Sequence, residues 1–268
     1  VTFDDGTWTV EQDYAAPDSL VLQTQYREVS GARSAEQIVA VVPERDLIFV
    51  RLRLQGFAPD TRGFWVQSVT PAGPPAPGLA AVQPLLGALS GFVTGFDTSA
   101  QLLEHVRPAD AGQEAWARAR AWVERGGEIN WDRGVCVGAV SPQGLVSASA
   151  MADLSAWNGD MPLPDTQRFL GSSTGILACV PKLSDEGLEF VVLLGASDTR
   201  KGLRALLSEG LSAGRAALEN GANGLGARWL AEVPSAPAAA LRPWLNLRLA
   251  TAGDTGTLLH APAQVTSA

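Results

Sequence analysis

Acid–base chemistry at neutral pH needs carboxylates held in unlike environments, one enclosed by apolar side chains so that it keeps its proton. The adjacent acids of this chain are Asp4-Asp5, beside the first strand-like run, and Asp185-Glu186, between two strand-like runs. Both pairs read as solvated turn residues, and the sequence contains no Glu-Glu. A serine nucleophile needs a histidine to take its proton. Ser172-Ser173-Thr174 lies in a loop flanked by Gly171 and Gly175, but His105 and His260 stand in unrelated contexts. The letters GxSxG occur at Gly171-Ser172-Ser173-Thr174-Gly175 and at Gly210-Leu211-Ser212-Ala213-Gly214, but no histidine stands in a related context, and no glycine-rich phosphate loop follows a strand. Cys136 and Cys179 each sit in apolar runs, Val135-Cys136-Val137 and Leu177-Ala178-Cys179-Val180, and read as small buried strand residues. A disulfide between them stays open, because sequence does not place their Cα atoms. Two cysteines and two distant histidines do not build a zinc site. No catalytic residue, metal or cofactor is assigned.

Composition narrows the partners. The 268 residues are 46% hydrophobic and 18% charged, ample for a large core. A net charge of −8 argues against nucleic acid, which needs clustered Lys and Arg. Neutral ligands make no such demand. No stretch is apolar and long enough to span a bilayer, so no membrane partner is expected. No basic region followed by an apolar core opens the chain, which leaves both a cytoplasmic protein and a secreted one with its signal removed.

The elements that must position any site are mostly strands. Thr7–Gln12 alternates, Asp18–Tyr26 alternates, Gln37–Pro43 is apolar, and Glu44-Arg45-Asp46 forms a turn into Leu47–Leu54. This last run alternates apolar and basic residues, predicting one buried and one wet face. Phe64–Val69 is a further strand, ended by the Pro-rich loop from Thr70 to Pro77. Leu79–Gly95 fits either helix or strand. Ala109–Arg125 predicts a helix, with Trp116, Ala119, Trp122 and Val123 as its apolar stripe and Gly126-Gly127 as its stop. Gly134–Val140 and Leu145–Ala150 read as a hairpin about the turn Ser141-Pro142-Gln143-Gly144. Gly175–Val180 is expected to pair with Glu189–Leu194. Asp198 or Thr199 then caps a helix with Leu203, Leu206, Leu207, Leu211 and Leu218 at helical spacing. Leucines of that helix left exposed would mark a face for a missing partner domain. This pattern predicts a mainly β fold, a large antiparallel β-sandwich with helical insertions and a C-terminal linker helix.

Two blocks of this pattern resemble the N-terminal β-sandwich domain of bacterial glucoamylases and glucodextranases, glycoside hydrolase family 15. One is Pro17–Gly56, with Arg45-Asp46 before Val50-Arg51-Leu52-Arg53-Leu54. The other is Gly187–Glu232, with the apolar strand Leu188–Gly195, a helix, and Trp229-Leu230 at its exit, where the family carries a Tyr that this chain lacks. The resemblance spans roughly Pro17 to Ala231. It implies strands before Val1, a sandwich over residues 1–233, and the start of a truncated (α/α)-barrel over 234–268. In that last stretch Leu241–Ala250 predicts a short amphipathic helix, and Thr255–Pro262 is similar to a family stretch near the sugar pocket.

The resemblance further implies a non-catalytic domain of an α-glucan or α-glucoside hydrolase. In that family two glutamates on barrel loops invert the anomeric carbon, one protonating the leaving oxygen and the other activating water. The expected partner is therefore a catalytic helical barrel, in the same or a companion chain, with α-glucan as a ligand. Substrate contact would fall to His260 and to Trp157 and Asn158 in the polar loop from Ser155 to Asp165. The alternative is a free-standing carbohydrate-binding or scaffold sandwich, in which Trp157 stacks on a sugar ring.

Overall fold

The computed structural model describes residues 6–16, 19–42, 45–69, 93–108, 134–151, 168–170 and 173–231. Short strands separated by turn residues dominate it. β1 (Trp8–Tyr14), β2 (Val21–Glu28), β3 (Ser34–Val42) and β4 (Leu47–Gln55) are consecutive antiparallel neighbours. β5 (Gly63–Val69), β6 (Val93–Asp97), β7 (Leu102–Pro108), β8 (Gly134–Val140) and β9 (Leu145–Met151) follow. β10 (Arg168–Leu170), β11 (Ser173–Cys179), β12 (Lys182–Ser184) and β13 (Gly187–Ser197) complete the strands, and helix α1 runs over Arg200–Ala231. Ten strands form one sheet in the order β1-β2-β3-β4-β13-β8-β7-β6-β10, with β12 also paired to β13. The other three form a small sheet, β5-β11-β9. The fold is the expected mainly β antiparallel sandwich.

Alternation assigns the two faces of the large sheet. In β4, Leu47, Phe49, Arg51 and Arg53 lie opposite Val42, Ala40, Ile38 and Glu36 of β3 and share one face. One core cluster forms on that side, where Leu47, Phe49, Val191 and Leu193 pack with Leu203, Leu207, Leu218 and Leu225 of α1. On the other face Leu54, Leu188, Phe190 and Val192 pack with Leu103, Ala148 and Leu177, closing the space to the small sheet. The described chain is thus three layers: helix, large sheet, small sheet. Completely burying each Leu, Val or Phe contributes about 1.5–3 kcal/mol.

Helix α1 starts where the sequence places it. Thr199 Oγ1 accepts from the Gly202 amide at 3.0 Å, satisfying a free N–H of the first turn. Leu203, Leu207 and Leu218 are buried and Leu206 packs partly against the same cluster, leaving Leu211 as the exposed member at 37%. Four of the five leucines are therefore packed within the chain. Trp229 and Leu230 also pack against this cluster. The helix breaks at Gly214, whose φ of 75° and ψ of 164° lie outside helical space.

Three sequence-based expectations give way. β8 and β9 are not a hairpin: β8 is held between β7 and β13 in the large sheet, while β9 pairs with β11 in the small one. The predicted turn is there, with the Gly144 amide donating to Ser141 O at 3.1 Å, but it carries the chain from one sheet to the other. Both edges of β8 are already occupied, so it has no free ladder for β9. Likewise β11 does not pair with β13; it lies between β5 and β9. Nor is one face of β4 wet. Arg51 is 6% exposed and donates to Glu36 at 2.8 Å, and Arg53 is half-buried between Glu186 and Glu189, so the basic residues of this strand are held in ion pairs. The predicted helix 109–125, most of 79–95 and everything after Ala231, the linker helix and the proposed domain boundary included, lie outside the described residues.

Candidate functional site

The carboxylates come first, because hydrolysis would rest on them. Glu104 of β7 is almost fully buried and takes both a bond from Arg200 Nε at 3.0 Å and one from the same guanidinium's terminal nitrogen. Asp97 meets Arg204 one helical turn further on. Glu189 of β13 accepts from Arg215 at 2.8 Å and lies 3.4 Å from Arg53. These pairs join α1 to the large sheet. Removing Arg200 would cost about 3–5 kcal/mol, because the buried Glu104 charge is left alone, while the partly exposed Arg204 and Arg215 pairs contribute less.

Electrostatics argues against a proton donor at Asp97 or at Glu28 of β2. Burial pulls the Asp97 pKa upward, but Ser99, the Ala100 amide and Arg204 outweigh it and leave the carboxyl below its ordinary value. Hydrogen bonds from Arg33 and then Ser30 lower Glu28 to about 2. A general acid needs the opposite shift. Asp185 and Glu186 lie exposed in the turn before β13, and Glu186 pairs with Arg53 at 2.8 Å. Asp4-Asp5 lies outside the described residues.

His105 and the two thiols have structural surroundings. His105 is completely buried, its Nδ1 2.6 Å from Thr94 Oγ1, while Nε2 makes no hydrogen bond. Burial lowers its pKa to about 4, which keeps the imidazole neutral at pH 7. Cys136 and Cys179 are buried free thiols in different core clusters. Burial pushes each up to about 11, so neither is a nucleophile at neutral pH. Among the described residues, no group of His, Cys, Asp and Glu is arranged to hold a metal ion, and no helix is long and apolar enough to cross a membrane.

Between the two sheets lies a cleft of about 300 Å³. Its floor is a block of four apolar residues made by pairing Val50 with Val192 and Leu52 with Phe190. Gly63 and Trp65 of β5 and Cys179 of β11 roof it. β5 is the edge of the small sheet, so the cleft opens past it over β3 and β2. There Tyr26 Oη donates to Gln37 Oε1 at 3.1 Å. Burial raises the Tyr26 pKa, so this phenol is a neutral donor. Gly63 matters here because a Cβ at this position would stand 2.3 Å from the Phe190 ring.

The residues expected to contact substrate, Trp157, Asn158 and His260, all lie outside the described residues. The cleft residues were legible only as strand residues. The one signal for them is the alternation of Gly63, Trp65 and Gln67, which puts those three on a common face of β5.

With this geometry in place, comparison with known proteins points to a fold. No protein-family model matches the sequence, and no curated protein matches it. Among solved structures the chain is similar to a bacterial glucoamylase crystallised with acarbose, with a TM-score of 0.60 at 11% identity. The match covers 92% of this chain and 32% of that one, so the chain spans about a third of the glucoamylase's length. An inverting mannosidase of family GH92 from Bacteroides thetaiotaomicron gives a TM-score of 0.32 at 8% identity, covering 77% of this chain and 20% of that one. That similarity is too slight to carry any argument. At this identity the glucoamylase defines the class of fold, a β-sandwich of the kind found within a glycoside hydrolase.

Proposed function

We propose that the chain is the non-catalytic N-terminal β-sandwich domain of an α-glucan or α-glucoside hydrolase of the glucoamylase kind. In this reading residues 1–233 form the sandwich and 234–268 lead into a helical barrel that carries the catalytic glutamates. One observation carries it. The two stretches that resemble the glucoamylase sandwich are far apart in sequence, yet they supply adjacent central strands, with Leu47 opposite Gly195 through Leu54 opposite Leu188. They do so within a fold that covers nearly the whole chain and about a third of a glucoamylase. The charge pattern agrees, since the buried acids described above are neutralised by arginines, an arrangement that joins layers but does not move protons.

The coding sequence that encloses this chain tests the proposal. The reading predicts an open frame running past Ala268 into several hundred residues of helical repeats, with a Glu-Glu pair behind a tryptophan. A stop codon directly after Ala268, with no companion frame of that kind beside it, would favour the free-standing scaffold instead.

A further inference from the structure

We infer that the cleft between the two sheets binds a small neutral ligand: one ring, or two fused rings, with a single oxygen acceptor. Three observations specify it. First, the fold holds the space open. Protein interiors normally close around a void of this size, because unfilled volume forfeits contacts on every side. Here Phe190, the largest residue of the floor, lies against the bare backbone of Gly63, so its ring is held at the roof. Among the described residues, no further strand pairs with the neighbouring edge of the small sheet.

Second, the walls select against charge. Among the described residues, no Asp, Glu, Lys, Arg or His lines the cleft, and the Cys179 thiol at its back stays protonated. An ion entering would lose its water and gain no counter-charge, whereas an apolar ring gains the faces of Leu52, Phe190 and Trp65. About 300 Å³ is more than the roughly 150 Å³ that admits a benzene ring, leaving room for a second ring or a short substituent.

Third, the mouth offers a donor. Tyr26 Oη engages the carbonyl oxygen of Gln37, which leaves the NH2 end of that amide to donate. One donor at an otherwise apolar opening matches one acceptor oxygen. A monosaccharide, with four or five hydroxyls to satisfy, would leave most of them unpaired.

The test uses 1-tetralone as probe, with its charged counterpart 1-naphthoate and with glucose alongside, on the 268-residue chain. Binding is read from the indole N–H resonance of Trp65, assigned by its loss in Trp65→Phe. The expected result is a saturable shift of that resonance by 1-tetralone and binding of 1-naphthoate weaker by about tenfold or more. Gln37→Leu, at the mouth, should weaken 1-tetralone about three- to tenfold. Leu52→Trp should abolish the response while the remaining indole resonances stay in place; if that variant does not fold, Gln37→Leu and the 1-naphthoate comparison decide alone. No saturable shift at the solubility limit of 1-tetralone, an equal shift in Gln37→Leu, or equal affinity for 1-naphthoate would overturn the assignment. Glucose displacing 1-tetralone would overturn it in favour of a sugar subsite. The cleft lies wholly within the described sandwich, so failure here leaves the domain assignment standing.

Discussion

His105 shows how this chain treats a group that looks reactive in sequence. Its folded pKa of about 4 lies below the ordinary 6.5, so between those values the unfolded chain takes up a proton that the native imidazole refuses. The contribution to stability is whole above pH 6.5 and disappears as pH falls toward 4, by about 3 kcal/mol in all. His105→Gln keeps a polar partner for Thr94 and removes the titration. Urea unfolding at pH 7 and pH 4 should therefore show the parent losing about 3 kcal/mol more than the variant; equal losses would mean that His105 is hydrated or charged in the fold. The other reactive-looking residues resolve in the same way. The two cysteines were legible as buried strand residues from their apolar neighbours. The arginines of β4 were not, because Arg51 becomes a core residue only once Glu36 of the adjacent strand lies beside it. Side-chain partners across a sheet are set by register, which local sequence does not state.

At the scale of elements, α1 holds a testable feature that periodicity does not reveal. The leucine spacing reads as one helix, and the helical face is indeed continuous from Leu203 to Leu225, but Gly214 departs from helical geometry in a region open essentially to glycine alone. A Cβ there would meet nothing within 4 Å, so the demand comes from the backbone. Gly214→Ala should cost about 1–3 kcal/mol. Gly221 lies in the same helix, also has open space around it, and has no positive φ, so Gly221→Ala should gain up to about 1 kcal/mol. Chemical denaturation of the pair separates the two effects; a gain from both substitutions would show that the kink is absent. The positions of β1 to β5, β8, β9, β11 and β13 were legible to within a few residues, because alternation and turn residues are local signals, whereas β7, β10 and β12 were not read from the sequence. Strand partners were less so. The turn after β8 has a hairpin's residues and a hairpin's hydrogen bond, yet it changes sheets, because the edges of β8 were already taken by β7 and β13.

For the whole molecule, the layered sandwich was legible from many short strands and a late helix, whereas the cleft was not. Among the described residues a three-stranded sheet covers only part of a ten-stranded one, and relative sheet size is a property of topology rather than of local sequence. The residues expected from sequence to touch substrate, Trp157, Asn158 and His260, lie outside the described residues. The central claim is that this sandwich serves a glucoside hydrolase without performing the hydrolysis. Its most direct measurement is glucose release from maltooligosaccharides, with the anomer resolved by proton NMR, for residues 1–268 and for the product of the complete reading frame. The account predicts no release above buffer by 1–268, which lacks an enclosed pair of carboxylates among its described residues, and β-glucose as the first product of the complete protein, as inversion of an α-linkage requires. Turnover by 1–268 alone, or a complete protein that releases no glucose or releases the α-anomer, would contradict it.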